Sequence, residues 1–260
     1  MMYERMGEKI AGWGGEVLKD RKVVAVRREG FRVTAVKTRG PDGEQEIPGT
    51  AFISSIPLPE LVRIMDPPPP DDVMKAADAL RFRYMVTINL MIDQPHLFPD
   101  NWIYVHEPGL KVARVQNFGN WSPEMVPDPS TSCLALEYMV YPEQPLWQMS
   151  DADLLALGSD EIARTGLLGK GHVLDGAVVR IPDAYPVYKI GFEPSLDLVI
   201  NWLRQFENLQ EVGRGGMFKY NNADHSILTA LLAVENLDGA HHDLWSVNTD
   251  SEYHEIRKPG

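Results

Sequence analysis

The chain has 260 residues, of which 44% are apolar, and its formal net charge is −12 at pH 7. This length allows one large domain or two small ones, each with a core. The acidic charge argues against a general nucleic-acid-binding protein, because phosphate backbones require a basic surface. No stretch approaches the ~20 apolar residues of a membrane span. The seven histidines lack the spacing of a zinc helix or finger, so no metal site is predicted, and the single cysteine, Cys133, predicts a reducing, cytoplasmic location.

Helices and strands are both predicted along the chain. Apolar residues at helical spacing predict a first helix from Tyr3 to Trp13, ended by a glycine pair. Four consecutive prolines, 67–70, predict extended backbone at a boundary between layers or domains. Strands are predicted over residues 23–26, 31–38, 51–57, 84–93, 102–106, 113–117, 133–141 and 173–181. Further helices are predicted over residues 58–65, 151–165, 196–206 and 227–237.

The middle strands predict a mainly antiparallel sheet, so the predicted fold class is α/β (α+β). Ser150 is the expected cap of the helix over 151–165, and the glycines of 166–171 are expected to end it. Residues 238–260 are polar and are predicted to lie on the surface or to be partly disordered.

Residues 209–237 carry the strongest functional signal. A short apolar strand is followed by Gly213, Gly215 and Gly216, then by a polar turn and a helix. The start of that helix offers free N–H groups and a positive dipole end, which suit a phosphate, and Arg214 could meet the same group. A tight strand-to-helix connection with a surface arginine explains the pattern equally well.

Two aromatic segments are weaker candidates. Tyr185 and Tyr188 flank a proline in a predicted loop over 182–191, where their rings could line a pocket. A packed aromatic loop is the favoured interpretation of these residues alone. Residues 117–123 could form a substrate wall, but turn chemistry explains them equally well. The chain contains neither a Gly-x-Gly-x-x-Gly phosphate motif in the required context nor a Gly-x-Ser-x-Gly elbow.

Four stretches resemble the latter part of flavin-dependent oxidoreductases. The resemblance is to the protoporphyrinogen oxidase and amine oxidase superfamily, and within it to relatives of UDP-galactopyranose mutase. Residues 23–26 resemble the strand beside the adenine of FAD, and residues 51–59 resemble the family strand written "visTiPl". Residues 185–188 resemble an aromatic loop near the substrate. Residues 212–226, with Val-Gly-Arg and then Tyr-Asn-Asn-Ala-Asp-His-Ser, resemble the closing FAD motif, the most specific of the four.

The resemblance implies an incomplete FAD-binding lobe, a substrate lobe and a tail. These are residues 1–65 with 205–240, residues 66–204, and residues 241–260. Arg214 would lie near the isoalloxazine, and the turn over 222–227 near the pyrophosphate and the ribityl chain. The residues implied to bind FAD are Val23, Gly213, Arg214, Asn222, Asp224, His225, Ser226 and Ile227. Those implied to bind a small-molecule substrate, such as a sugar nucleotide, are Tyr185, Tyr188 and Tyr220.

Two departures from the family pattern shape the expected function. The mutases typically place an aspartate two residues after the motif tyrosine, where this chain has Asn222. Family members also begin with a βαβ unit whose Gly-x-Gly-x-x-Gly binds the ADP part of FAD, and this chain has no such unit. We therefore expect a C-terminal portion of a flavoenzyme, inactive alone and without retained FAD, that self-associates through open strand edges at 23–26 and 51–56. The alternative is a non-catalytic sugar-nucleotide or protein-binding module derived from the same fold.

Overall fold

The computed structural model describes residues 2–249 and has the mixed α/β content that the sequence predicts. The helices of these residues are α1 (Met2–Gly12), α2 (Leu58–Arg63), α3 (Asp71–Ala79), α4 (Phe118–Trp121), α5 (Pro145–Gln148), α6 (Asp151–Thr165), α7 (Glu193–Leu203), α8 (Gly213–Gly216) and α9 (Ala223–Leu237). The strands are β1 (Lys22–Glu29), β2 (Arg32–Gly40), β3 (Gly43–Pro48), β4 (Phe52–Ser54), β5 (Met65–Asp66), β6 (Phe82–Ile92), β7 (Trp102–Tyr104), β8 (Arg114–Asn117), β9 (Ser132–Val140), β10 (Val173–Pro186) and β11 (Leu209–Glu211). Within residues 2–249, no helix combines the length and the apolar character that crossing a bilayer requires.

The chain divides into two compact units, residues 2–80 with 189–249 and residues 81–188. The boundary falls after α3 and not at the four prolines. Arg28 explains why, because its guanidinium donates to the carbonyl oxygens of Pro67 and Pro68 and holds that segment in the first unit. The assignment of a flavin lobe and a substrate lobe stays a prediction. Residues 250–260 of the predicted tail lie outside the described residues.

The first unit contains a four-stranded sheet in the order β3-β2-β1-β5. β1 and β2 form a hairpin that turns at Gly30, where φ is +58°. On its other side, β1 pairs in parallel with β5 through Val26 and Arg27. Among residues 2–249, the expected open edge is therefore covered at Val26 only, and residues 23–25 pair with β2 alone.

The first unit also holds a separate, two-stranded parallel sheet formed by β4 and β11. Parallel strands are normally covered on both faces and joined by more neighbours. Among the described residues these two strands have only each other, so the expected open edge at β4 is present.

The second unit is built on a five-stranded antiparallel sheet in the order β10-β6-β9-β8-β7, which confirms the antiparallel prediction. α6 packs on one face of this sheet. Gly158 allows the close approach, since a Cβ there would come within 2.9 Å of Ile88 Cγ2. As predicted, Ser150 caps α6 by accepting from Asp153 N at 3.1 Å, and Gly166, with φ of +76°, ends it.

One predicted loop is wrong in part. β10 continues through Pro186, so Tyr185 belongs to a strand and pairs with Arg83 of β6. The pairing is irregular between Ile181 and Tyr185, and Asp183 there has a φ of +49°. This irregular, proline-containing stretch explains why the sequence indicated that the strand stops at residue 181.

Candidate functional site

The glycine turn begins where two parallel strands end. β4 and β11 are in register, with Glu211 beside Ser54, so their carboxyl ends lie at the same edge. Val212 N donates to Ser54 O at 2.9 Å. The turn then packs directly on the chain that leaves β4, because a Cβ at Gly216 would lie only 2.7 Å from Ser54 O. Glycine is required there for a contact between two backbone segments.

Helix α9 starts with a reciprocal cap. The Asn222 side chain accepts from the backbone N–H of His225, and His225 Nδ1 accepts from Asn222 N at 3.3 Å. The N–H groups of Ala223 and Asp224 have no acceptor within the helix. Two such donors at the positive end of a helix can hold one phosphate group.

Hydrogen bonds join the glycine turn to α9. Gly213 N donates to Thr229 Oγ1 at 3.1 Å, and Asn221 Nδ2 donates to Gly213 O at 3.3 Å. Arg214 Nε donates to Asn221 O at 2.8 Å, so its side chain lies along the turn. Arg214 is therefore a half-buried part of the turn. This disfavours the alternative that it is a fully solvated surface arginine.

The structure brings together most of the residues implied to bind FAD. Gly213, Arg214, Asn222, His225 and Ser226 all lie in the turn or the first turn of α9. Four further predicted residues fall elsewhere or stay open to solvent. Val23 pairs with Thr38 in the four-stranded sheet. Asp224, Ile227 and Tyr220 are exposed, Ile227 to 57%.

The segment after α9 covers the polar turn that precedes α9, and no sequence pattern predicted this. Residues 238–260 were expected at the surface, but Leu244 and Val247 are buried. Lys219 Nζ donates to Trp245 O at 2.9 Å and to Val247 O at 2.5 Å, and burial lowers the pKa of Lys219. Asn248 Nδ2 donates to Tyr220 O at 3.1 Å. The segment up to residue 249 therefore packs on the polar turn that precedes α9.

The second unit carries a polar cluster on the sheet face opposite α6. Arg114 of β8 faces Glu137 of β9, and Arg114 Nε donates to Glu137 Oε2 at 2.7 Å. Gln116 donates to the other carboxylate oxygen. The Arg114 guanidinium lies 5.1 Å from the ring centroid of Trp102, a cation–π distance. The Glu137 side chain is only 3% exposed, so this ion pair is nearly dry.

Tyr185, one of the residues implied to bind substrate, adjoins this cluster. Burial alone would lower the pKa of Arg114, but the Glu137 carboxylate and the Tyr185 phenol outweigh it and raise that pKa. Tyr188 follows β10 and is half-exposed. The sequence did hold a signal for this cluster, since Glu137 is a charge inside an apolar strand. The sequence alone could not identify Arg114 as the partner of Glu137, because that pairing depends on the register of β8 and β9.

Across residues 2–249, no group of three or more His, Cys, Asp and Glu side chains is placed to hold a metal ion.

No protein-family model and no curated protein sequence matches the chain. Solved structures do match. Reduced UDP-galactopyranose mutase superposes with a TM-score of 0.75 at 20% identity, over 95% of this chain and 52% of that one. A protoporphyrinogen oxidase-like protein from Exiguobacterium sp. 255-15 gives a TM-score of 0.64 at 16% identity, over 90% and 51%. Putrescine oxidase bound to putrescine gives 0.58 at 13% identity, over 90% and 51%.

The chain thus spans about half the length of the solved structures that it matches. The TM-scores show a shared architecture, and identities of 20% or less leave the substrate and the activity open. The chain has the fold of a portion of UDP-galactopyranose mutase, of the protoporphyrinogen oxidase-like protein and of putrescine oxidase.

Proposed function

We propose that this chain is part of an FAD-dependent oxidoreductase or mutase-like flavoenzyme. The observation that carries the proposal is the glycine turn at the ends of β4 and β11, set in a fold shared with such enzymes. In this proposal the first unit contributes to the flavin site and the second unit to the substrate site. FAD, when bound, supplies the redox or covalent chemistry.

The residues of the turn fit one part of FAD. The N–H groups of Ala223 and Asp224 and the guanidinium of Arg214 suit a phosphate or the oxygens of a flavin. They do not suffice for the ADP half, which normally needs a glycine-rich βαβ unit that these 260 residues do not contain. We therefore propose that the chain binds FAD only together with a polypeptide that supplies that unit.

The isolated chain is expected to purify without colour. Without the βαβ unit, too little of the FAD surface is buried for tight binding. The measurement is the flavin absorption band of the purified chain, followed by an FAD titration. A protein that retains flavin in stoichiometric amounts would show that the chain binds FAD alone.

Arg214 provides the residue-level test of the flavin site. With a βαβ unit supplied by fusion or co-expression, Arg214→Ala should weaken flavin binding about tenfold, because a charge-assisted hydrogen bond is lost. Arg204→Ala is the matched control, since Arg204 at the end of α7 pairs only loosely with Asp243, at 3.5 Å. Equal effects of the two substitutions on the flavin dissociation constant would contradict the assignment.

The substrate we propose is a small molecule with a ring that can stack, such as a sugar nucleotide. The name of UDP-galactopyranose mutase indicates a sugar nucleotide for that enzyme. In this chain the ring of Trp102 and the phenol of Tyr185 adjoin one charged cluster. Aromatic rings beside fixed charges are groups to which such ligands bind.

One observation favours the second candidate function, a non-catalytic protein-binding module. α9 exposes a stripe of apolar side chains, including Ile227 and Leu231, each 57% exposed, and Val234. No residue of α1 is buried, although Met6 and Ile10 lie on one face. Exposed apolar stripes of this length usually contact another protein.

We accordingly expect the chain to self-associate through the α9 stripe and the open edge of β4. Leu231→Glu should shift the population toward monomer, because it places a charge in the contact. Leu174→Glu changes an equally exposed leucine of the second unit, 56% exposed, and should leave the assembly unchanged. Light scattering across a concentration series is the measurement, and a monomer at every concentration would refute the expectation.

A further inference from the structure

The second unit contains an open cleft of about 720 Å³ between the end of β7 and the last turn of α6. This volume lies within the usual range of small-molecule sites. None of its lining residues belongs to the Arg114–Glu137 cluster.

One wall of the cleft is a tight turn over residues 107–110. Leu110 N donates to Glu107 O at 3.2 Å, and Gly109 at the third position has a φ of +90°. Together with Pro108 at the second position, these features define a type II turn, whose backbone is largely fixed. The backbone of this wall is therefore preorganised.

Arg164, in the last turn of α6, reaches to the turn over residues 107–110 and is only weakly hydrogen-bonded there. Its Nη1 lies 3.5 Å from Asp160 Oδ2, and its Nη2 lies 3.4 Å from Gly109 O. Both distances are at the limit of hydrogen bonding. The guanidinium has five N–H donors, so most of its capacity for a carboxylate is unused.

The cleft thus combines two opposite charges with an apolar floor. Glu107 and His106 are exposed, and neither side chain forms a hydrogen bond within residues 2–249. The floor consists of Ile103, Leu110 and Leu167, and the last two also pack against the core of the unit. A ligand that matches all three features carries a negative group, a positive group and an apolar body.

We propose that this cleft binds a short zwitterion with apolar side chains, namely an apolar dipeptide. Its carboxylate pairs with Arg164, its ammonium group pairs with Glu107, and its side chains lie on the apolar floor. An extended dipeptide spans about 7 Å. Arg164 Nη2 lies 3.4 Å from the carbonyl oxygen of Gly109, so the guanidinium lies beside the turn that also bears Glu107.

The test is a titration of the full chain with L-leucyl-L-leucine, followed by NMR chemical shifts or calorimetry. We expect saturable binding with a dissociation constant of about 1 mM, as suits an open, partly solvated site. Arg164→Gln and Glu107→Gln should each weaken it about fivefold, through loss of one charged hydrogen bond. Arg63→Gln is the matched control, because Arg63 is an exposed arginine in an ion pair with Asp78 of the first unit.

Changes in the ligand separate binding from folding. N-acetyl-leucyl-leucine lacks the ammonium group, so it should bind the wild-type chain about fivefold more weakly and should be insensitive to Glu107→Gln. Leucyl-leucine amide should behave in the same way toward Arg164→Gln. Absence of saturation up to about 20 mM, or equal affinity of all variants and ligands, would overturn the proposal.

Discussion

Replacing Arg114 with methionine is expected to destabilise the second unit by about 3–5 kcal/mol near pH 7. The reason is the carboxylate that remains. Glu137 is 3% exposed and is held by Arg114 at 2.7 Å and by the Gln116 amide. Without the guanidinium, an uncompensated charge stays buried, and one neutral amide cannot offset its lost hydration. The measurement is urea unfolding, with the midpoint and slope compared between variants.

The paired variant makes this result specific. Arg114→Met combined with Glu137→Met removes both charges, and most of the lost stability should return, because apolar replacement of a buried pair is often neutral. Arg81→Met is the control for an exposed pair, since Arg81 and Glu143 are each more than half exposed. Its cost should stay under about 1 kcal/mol. A double variant as unstable as the single one would show that the pair holds the sheet in another way.

The features that could be predicted are those whose signals are local. Strand β6 carries alternating apolar residues, β9 carries a nearly continuous apolar run, and α6 carries its own cap at Ser150 and its own stop at Gly166. Each signal lies within a few residues of the element that it defines. β3 was missed because nearly every residue of it is exposed, so no apolar alternation marks it. β5 has two residues, and only its pairing with β1 identifies it.

The candidate site likewise has features with local sequence signals and features that depend on the folded structure. Glycine spacing and the cap at Asn222 indicated a turn before a helix, and the structure contains both. The capping role of His225 was missed because a capping box usually carries Glu or Gln at that position. The coverage by residues 244–248 depends on three-dimensional contacts. The Arg114–Glu137 pair joins residues far apart in sequence through the register of β8 and β9. Register follows from the whole sheet, so no single-sequence pattern could supply it.

Glu211, the last residue of β11, is a carboxyl group buried without a full set of partners. It is 6% exposed, and its Oε1 has no hydrogen-bond partner among residues 2–249. Burial raises its pKa from 4.5 to about 7, against weaker lowering by its own backbone N–H and by Arg204. The folded chain therefore holds this proton between pH 4.5 and 7, whereas the unfolded chain releases it. Stability from this group is complete below pH 4.5 and is lost as the pH rises through about 7.

Glu211→Gln is therefore expected to stabilise the first unit above pH 7, by about 3 kcal/mol, and to have little effect near pH 4. The amide keeps the shape of the protonated carboxyl but cannot ionise. The variant should therefore lack the loss of stability that ionisation of Glu211 causes in the wild type as the pH rises through about 7. The quantity to measure is the difference in unfolding free energy between variant and wild type at several pH values, because the contributions of other acids cancel in it. Glu207→Gln is the control, since Glu207 is 74% exposed and lies in the same unit. A difference that does not change with pH would mean that Glu211 is already ionised in the folded chain, and that solvent or a bound cation reaches the end of β11 beside the glycine turn.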